Sequence, residues 1–342
     1  MHHGVAAISK DNVKVRISPS MAAAPIAVVI PVYNRRLKLL NTLATVVAQS
    51  SSPALVIVVD DGSTDSSGDV AENWLARNAP FSWKVIRQAN AGVAVARNRG
   101  FEEIGELPFV CFLDSDDLWP PTFLAEGLRG LEGREDAVAA VADRVKEVGG
   151  RQKRVEDFRH LAANPILWLM CRDGGILSCT MVRSRAVRAA GLFIPGMVAS
   201  EDADFLLRLF LLGPVVRSET APVRYIKKAP LEPTEAPNLT SASPDLEYLW
   251  ACHLETAFRR LRERLPEEHI ILIQTSLARR WARSAFSCRR TKQLGRAIIS
   301  LSHAIWWDYQ WRRRLQLIRS FCCANEKASP SFKVKLPTEG LG

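Results

Sequence analysis

Apolar and polar positions follow two different rhythms along this chain. In the first third, short apolar runs stand without polar alternation: Ala27-Val28-Val29-Ile30, Val56-Ile57-Val58-Val59, the weaker Trp83-Lys84-Val85-Ile86, and Phe109-Val110-Cys111-Phe112-Leu113. Such runs predict strands buried on both faces of a sheet. Between them the spacing becomes helical, through Leu37, Leu40, Ala44 and Val47, then Val70, Trp74 and Leu75, then a segment carrying Ala96, Arg97, Asn98 and Gly100. Strand and helix in alternation imply right-handed crossovers and a mostly parallel sheet flanked by helices, an α/β fold.

The second rhythm begins past residue 226. Lys227 through Pro244 holds four prolines among Ser, Thr and Asn residues, so 227–243 reads as a linker or active-site loop. Ser243-Pro244 is a helix start, followed by an apolar face of Leu246, Leu249, Trp250, His253, Leu254, Ala257 and Leu261. Pro266 restarts a second helix through Ile270, Ile273, Leu277 and Trp281, and a third places Leu294, Ile298, Leu301 and Ile305 along one face. The expected organisation is an extension at 1–24, an α/β domain at 25–226, the linker at 227–243, a basic helical region at 244–322 and a flexible tail at 323–342.

Every early strand ends in polar residues: Pro31-Val32-Tyr33-Asn34, then Asp60-Asp61-Gly62-Ser63-Thr64-Asp65, then Gln88-Ala89-Asn90-Ala91-Gly92, then Asp114-Ser115-Asp116-Asp117. In parallel α/β sheets, ligands bind beyond the carboxyl ends of the strands. Tyr33, Asp60, Asp61, Asn90, Arg97 and the Asp114 cluster are therefore expected to converge on one crevice. Three carboxylates within four residues repel one another and are made tolerable by a divalent cation, a basic partner or full solvation. A hard Mg2+ or Mn2+ on one or two carboxylates shares its remaining positions with phosphate oxygens and water, which suits a nucleotide-linked substrate. An aspartate-rich turn closing a strand is the plainer reading of the same residues. Similarly, Asp61-Gly62-Ser63 fits a tight turn with a helix cap after it, and Glu201, Asp202 and Asp204 fit an acidic first helical turn.

Ile30-Pro31-Val32-Tyr33-Asn34, Val59 to Asp65, Asn90 with Gly92 and Ala96-Arg97-Asn98-Arg99-Gly100, and Leu113 to Asp117 together resemble the family-2 glycosyltransferases in order and spacing. The resemblance extends more weakly through Gly191-Leu192-Phe193 and Ser200 to Leu209, which look like that family's acceptor-side segment. It implies a GT-A fold, a nucleotide-diphosphate sugar donor, a divalent metal and transfer with inversion, with 25–120 as the nucleotide-sugar half and 121–226 as the acceptor half. Carried over by position, Pro31 and Tyr33 would line the base pocket, and Asn34, Asn90 and Gly92 would be among the donor-binding residues. Asp60 or Asp61 would hold the base or ribose, and Arg97 would lie near the diphosphate. Asp114 and Asp116 correspond to the D-x-D pair, Asp114 toward the ribose beside Ser115 and Asp116 toward the metal, with Asp117 as a second ligand. Asp202 matches the base position, and Glu201 would orient or bind the acceptor, a saccharide or a lipid-linked sugar.

Composition and charge narrow the setting. The seven cysteines are scattered and read as free thiols in a reducing compartment. No apolar stretch reaches the length of a spanning helix, and residues 1–24 lack the charged-then-apolar order of a leader, which points to a cytoplasmic protein. The net charge of +10 is concentrated in residues 245–342, where 18 Lys and Arg face 9 Asp and Glu. There Trp306, Trp307, Tyr309 and Trp311 precede Arg312, Arg313 and Arg314. That combination fits either peripheral contact with an anionic membrane or helices packed on the catalytic domain with solvated arginines. Nucleic acid is a poor partner for an acidic crevice. A nucleotidyltransferase would want a glycine-rich phosphate loop where Pro31-Val32-Tyr33-Asn34 stands. A catalytically inactive nucleotide-sugar-binding scaffold is the alternative from another class.

Overall fold

The computed structural model describes residues 13–16, 23–148, 151–156, 158–171, 176–197, 200–227 and 245–308. The expected linker beyond Lys227, the helix start at Ser243-Pro244, the segment 309–314 and the tail 323–342 lie outside the described residues. The chain divides into two compact units, residues 1–169 with 173–238 and residues 170–172 with 239–342.

The first unit is the α/β one. Its early elements run β1 (Val13–Arg16), β2 (Ala24–Val32), α1 (Arg36–Val47), β3 (Pro53–Asp60), α2 (Ser67–Asn78), β4 (Ser82–Arg87), α3 (Val93–Glu102) and β5 (Phe109–Phe112). Further on come α4 (Phe123–Leu131), β6 (Ala139–Val141), β7 (Arg144–Val148), β8 (Arg151–Glu156), α5 (Arg159–Ala163), α6 (Pro165–Cys171), β9 (Thr180–Arg183), α7 (Ser184–Ala190), α8 (Glu201–Phe210), β10 (Val215–Arg217) and β11 (Val223–Lys227). Eight strands form one mixed sheet in the order β1-β4-β3-β2-β5-β9-β6-β10, and β11-β7-β8 form a small second sheet.

The four expected strands are β2 to β5, and β2, β3, β4 and β5 pair in parallel. The interior of β2 and of β3 is fully buried, from Ala27 to Ile30 and from Val56 to Val59, which is why those runs carry no polar alternation. Helix α3 lies so close to them that a Cβ on Gly100 would strike the side chains of Val29 and Val59. One expectation needs correction. Within the segment read as an N-terminal extension, Val13–Arg16 is a strand, antiparallel to β4 and in register from Val13 opposite Ile86 to Arg16 opposite Trp83. Its alternating Val-Lys-Val-Arg is the pattern of an edge strand.

Among its described residues the second unit contains three α-helices, Leu246–Leu261, Glu267–Arg290 and Leu294–Trp307, besides the end of α6 at Met170 and Cys171. Pro266 stands just before the second, and Ile273, Leu277 and Trp281 are buried as their spacing predicts. In the first, the buried positions are Leu246, Ala251, Glu255, Phe258 and Leu261, so the face is rotated from the one expected. Glu255 explains the rotation: its carboxylate accepts the indole N–H of Trp281 at 2.7 Å and of Trp307 at 2.9 Å, and meets His303 Nδ1 at 2.8 Å and the Arg259 guanidinium. A buried carboxylate with that many partners outweighs apolar periodicity in setting the helix orientation. Among the described residues, no helix is long and apolar enough to cross a membrane.

Candidate functional site

The carboxyl ends of β2, β3, β4 and β5 lie side by side, and the loops that follow them are stitched together by side chains the sequence had marked. Asn34, held at positive φ, donates its N–H to Ser63 Oγ at 2.9 Å, and its side-chain oxygen accepts the Thr64 N–H at 2.7 Å. The loop after β2 is thereby fixed to the loop after β3. Tyr33, beside it, is 40% exposed, a ring open to solvent at the rim.

Asp60 and Asp61 are both buried, with their carboxylates engaged. Asp60 accepts the N–H of Ser63 at 2.9 Å and of Gly68 at 3.0 Å, closing the turn and supporting the start of α2. Asp61 accepts from Gln88 Nε2 at 2.7 Å and from the N–H groups of Ala91 at 2.8 Å and Gly92 at 2.9 Å. The second carboxylate thus shapes the loop carrying Asn90 and Gly92, both of which are exposed. Gly62, with φ +78°, lies where a Cβ would come 2.8 Å from the Asn90 nitrogen, so this crossing admits only glycine. Pro31 is buried within β2.

The loop after β5 separates its three acids by burial. Asp114 and Asp116 are partly exposed, whereas Ser115 and Asp117 are buried. The Asp117 N–H bonds to the Asp114 carbonyl at 3.1 Å, which tightens the turn. Leu118 exchanges two backbone hydrogen bonds with Arg224 of β11, at 3.0 and 2.9 Å. The Asp114 N–H donates to Ser178 Oγ at 3.1 Å, while the Ser178 carbonyl accepts the Trp119 indole at 2.7 Å.

The three charges are handled in three ways. Asp114 meets the Arg97 guanidinium at 2.7 Å, and Asp116 forms an ion pair with Arg35. The Asp117 carboxyl is pushed well above the usual carboxylate range, first by burial and then by its acidic neighbours Asp116 and Asp114. Its Oδ1 is buried without a hydrogen-bond partner.

Arg97 does more than offset Asp114. Its other terminal nitrogen reaches Glu201 at 2.9 Å, and the side chain is buried with Phe193 5.3 Å below its guanidinium. One cation therefore ties the end of β5 to the first turn of α8. Asp202, the next residue, has its carboxyl raised from 3.8 to about 6 by burial foremost and by Glu201 next, against the opposing pull of Arg97 and its hydrogen bond from the Ala203 N–H. Desolvation and a like charge outweigh the cation here.

Asn34, Asp114, Asp116 and Glu201 thus belong to one set of connected loops, with Tyr33 next to Asn34 and Asp202 next to Glu201 in the chain. Asp60 and Asp61 are bound into the loop framework, and Arg97 is enclosed by two carboxylates. Sequence reasoning passed over Arg35 and Ser178, and named Gln88 only within a polar run at a strand's end. Arg35 directly follows Tyr33-Asn34, but nothing local signals its pairing with Asp116.

The donor set suits a hard cation. Asp114 and Asp116 present carboxylate oxygens at a strand's end, and the buried, unpartnered Oδ1 of Asp117 lies in the same turn. Among the described residues, no three or more His, Cys, Asp or Glu side chains are arranged to hold a metal by themselves. One or two carboxylates sharing a cation with phosphate oxygens is the usual magnesium arrangement.

Comparison with known proteins agrees with this architecture. The sequence model of glycosyl transferase family 2 matches residues 27–187. The putative teichuronic acid biosynthesis glycosyltransferase TuaG of Bacillus subtilis is 34% identical over 188 residues, 55% of this chain and 73% of that protein. The uncharacterized glycosyltransferase YibD of Escherichia coli is 37% identical over 119 residues. Against three curated relatives the match spans only 29%, 34% and 33% of their length. Among solved structures, residues 1–349 of TarS from S. aureus in complex with UDP-GlcNAc superpose with a TM-score of 0.63 at 21% identity, over 82% of this chain and 81% of that one. The mannosyltransferase PcManGT of Pyrobaculum calidifontis, in complex with GDP-Man and Mn2+, gives a TM-score of 0.54 at 18% identity, over 91% and 83%. These likenesses establish a GT-A type of fold.

Proposed function

The chain belongs to glycosyltransferase family 2, and from that premise we propose that it moves a sugar from a nucleotide-diphosphate donor to an acceptor hydroxyl with inversion. The observation that carries this reading is the Arg97 bridge, which joins Asp114 at the end of β5 to Glu201 beside Asp202. A donor site and a candidate base are thereby held in one piece.

In the proposed reaction Asp202 takes the proton of the acceptor hydroxyl as its oxygen bonds to the anomeric carbon, and the bond from that carbon to the diphosphate oxygen breaks on the opposite side. A carboxyl near 6 is ionised at neutral pH yet basic enough to accept a proton. Tyr33 and Pro31 border the base, Asp61 serves through the loop carrying Asn90 and Gly92, and Arg97 acts as a positioning residue. Asp116 with Asp114 would hold Mg2+ or Mn2+, with Asp117 behind them; such a cation neutralises charge on the departing nucleoside diphosphate. The acceptor is a saccharide or lipid-linked sugar in polysaccharide or glycolipid synthesis, at the cytoplasmic face of a membrane. TuaG is named for teichuronic acid biosynthesis, and the TarS and PcManGT complexes hold UDP-GlcNAc and GDP-Man, which supports a nucleotide-sugar donor.

The test is nucleoside diphosphate release from a panel of nucleotide sugars with Mn2+ or Mg2+. Activity is expected to disappear when Asp116→Asn and Asp202→Asn are combined. Turnover persisting in that double variant, or donor binding without turnover in the unmodified chain, refutes the reading; the latter describes a scaffold.

A further inference from the structure

The helix Leu294–Trp307 is mounted with its bulky side outward. Its buried positions are Ala297, Ser300, Ala304 and Trp307, and Ser300 Oγ lies 2.8 Å from Ser284 Oγ of the helix Glu267–Arg290. Of the four residues read as its apolar face, Leu294 is 64% and Ile298 63% exposed, while Leu301 and Ile305 are half-buried; Trp306, 73% exposed, and Ile299 are exposed beside them. At 100° per residue these side chains, with the half-buried Leu301 and Ile305, cover one outward arc. The rotation is fixed from inside, because the Trp307 indole donates to the buried Glu255 carboxylate at 2.9 Å and His303 Nδ1 meets the same carboxylate at 2.8 Å. Turning the helix to bury Ile298 would strand that charge.

We propose that this outward face docks on an anionic lipid surface, the helix lying in the plane of the headgroups. Cations lie at the near end of this face: Arg290 and Lys292 are exposed at the turn just before the helix, and the helix itself holds no acidic residue. Bulky apolar side chains beside basic ones are the composition that partitions into an interface. The helix has 14 residues, about 21 Å at 1.5 Å each, too short to span a bilayer core of about 30 Å. Trp306 at the edge of the arc has the amphipathic ring that settles at headgroup depth. A second copy of the chain would have to accept the same basic end against its own, which disfavours self-association.

Sedimentation of the full chain with vesicles tests this directly. Binding to phosphatidylcholine vesicles containing phosphatidylglycerol is expected, with little to phosphatidylcholine alone. Ile298→Glu and Trp306→Ser should each weaken partitioning by about tenfold or more while leaving thermal stability unchanged. Equal binding by both variants, no binding to either vesicle, or binding indifferent to phosphatidylglycerol overturns the proposal. So does a chain that is dimeric in solution and becomes monomeric on Ile298→Glu.

Discussion

Asp202 makes two demands that point in opposite directions, and both can be measured. Its carboxyl stands at about 6 where an unburied one stands at 3.8. The difference corresponds to about 3 kcal/mol against the ionised form, which solvent reaching this half-buried side chain reduces to about 1 to 2 kcal/mol. The folded state prefers the neutral acid. The stability associated with that preference is fully present below 3.8 and is lost as pH rises through about 6. At pH 8 the native chain therefore carries an ionised carboxylate it would be more stable without.

Asp202→Asn removes that charge, so at pH 8 its melting temperature is expected to rise by roughly 2 to 6 °C, and at pH 4 the advantage should vanish. Catalysis moves the other way. A general base must be ionised, so nucleoside diphosphate release by the unmodified chain should fall as pH drops through 6, to about a tenth of its plateau at pH 5. In Asp202→Asn the rate should be lower by about 10² to 10⁴-fold with that limb gone. Calorimetry and a pH profile of donor turnover check both sides. A rate flat down to pH 4.5, or a variant less stable than the parent at pH 8, refutes the assignment.

Arg97→Met removes the cation that holds Asp202 down and leaves Asp114 and Glu201 without their partner. It should raise the midpoint of the acid limb above 6 and destabilise by about 3 to 5 kcal/mol in urea unfolding. Arg35→Met removes the guanidinium paired with Asp116, so Mn2+ affinity measured without nucleotide by paramagnetic resonance should increase; an unchanged affinity means that Arg35 and the cation do not share that carboxylate. Gly100→Ala places a methyl against Val29 and Val59 and should cost about 1 to 3 kcal/mol in urea unfolding.

Much of the architecture was legible because a parallel strand covered on both faces has nowhere to put a polar side chain. Ala27 to Ile30 and Val56 to Val59 declare themselves for that reason. Ala139–Val141 does not: a three-residue strand rich in alanine has little strand propensity and exists because β9 and β10 pair with it on either side. The acids of the site were legible from their place at strand ends, but their partners were not. Arg35 with Asp116, Arg97 with Glu201 and Ser178 with Asp114 each join residues from separate elements. The pattern Asp60-Asp61-Gly62-Ser63 reads the same whether its carboxylates meet ligand or backbone; only the bonds from Ser63, Gly68, Ala91 and Gly92 show that they build the loops. In the last helix, periodicity identified the apolar face but not its direction, which is set by the small residues that allow the closer helix approach and by Glu255, which anchors Trp307 inward.

The three acids after β5 show how a site can carry concentrated negative charge before any substrate arrives. Asp114 is matched by Arg97 and Asp116 by Arg35, while burial raises the Asp117 carboxyl and so works against a third charge. These two pairings differ in how readily they open. Arg97 is buried and held by a second carboxylate, so breaking it strands a charge away from water. Arg35 is 14% exposed where Arg97 is 4%, so its charge can turn to water more readily as its pair with Asp116 opens. In the proposed reaction a cation taking Asp116 would displace the Arg35 guanidinium, whose backbone N–H donates to Ser67 Oγ at 3.1 Å, and would leave that guanidinium to pair with the diphosphate. A cation alone must compete with Arg35, whereas a cation arriving with a diphosphate gives Arg35 a new anion to pair with. Binding of the two should consequently be cooperative, with Arg35 carrying the coupling.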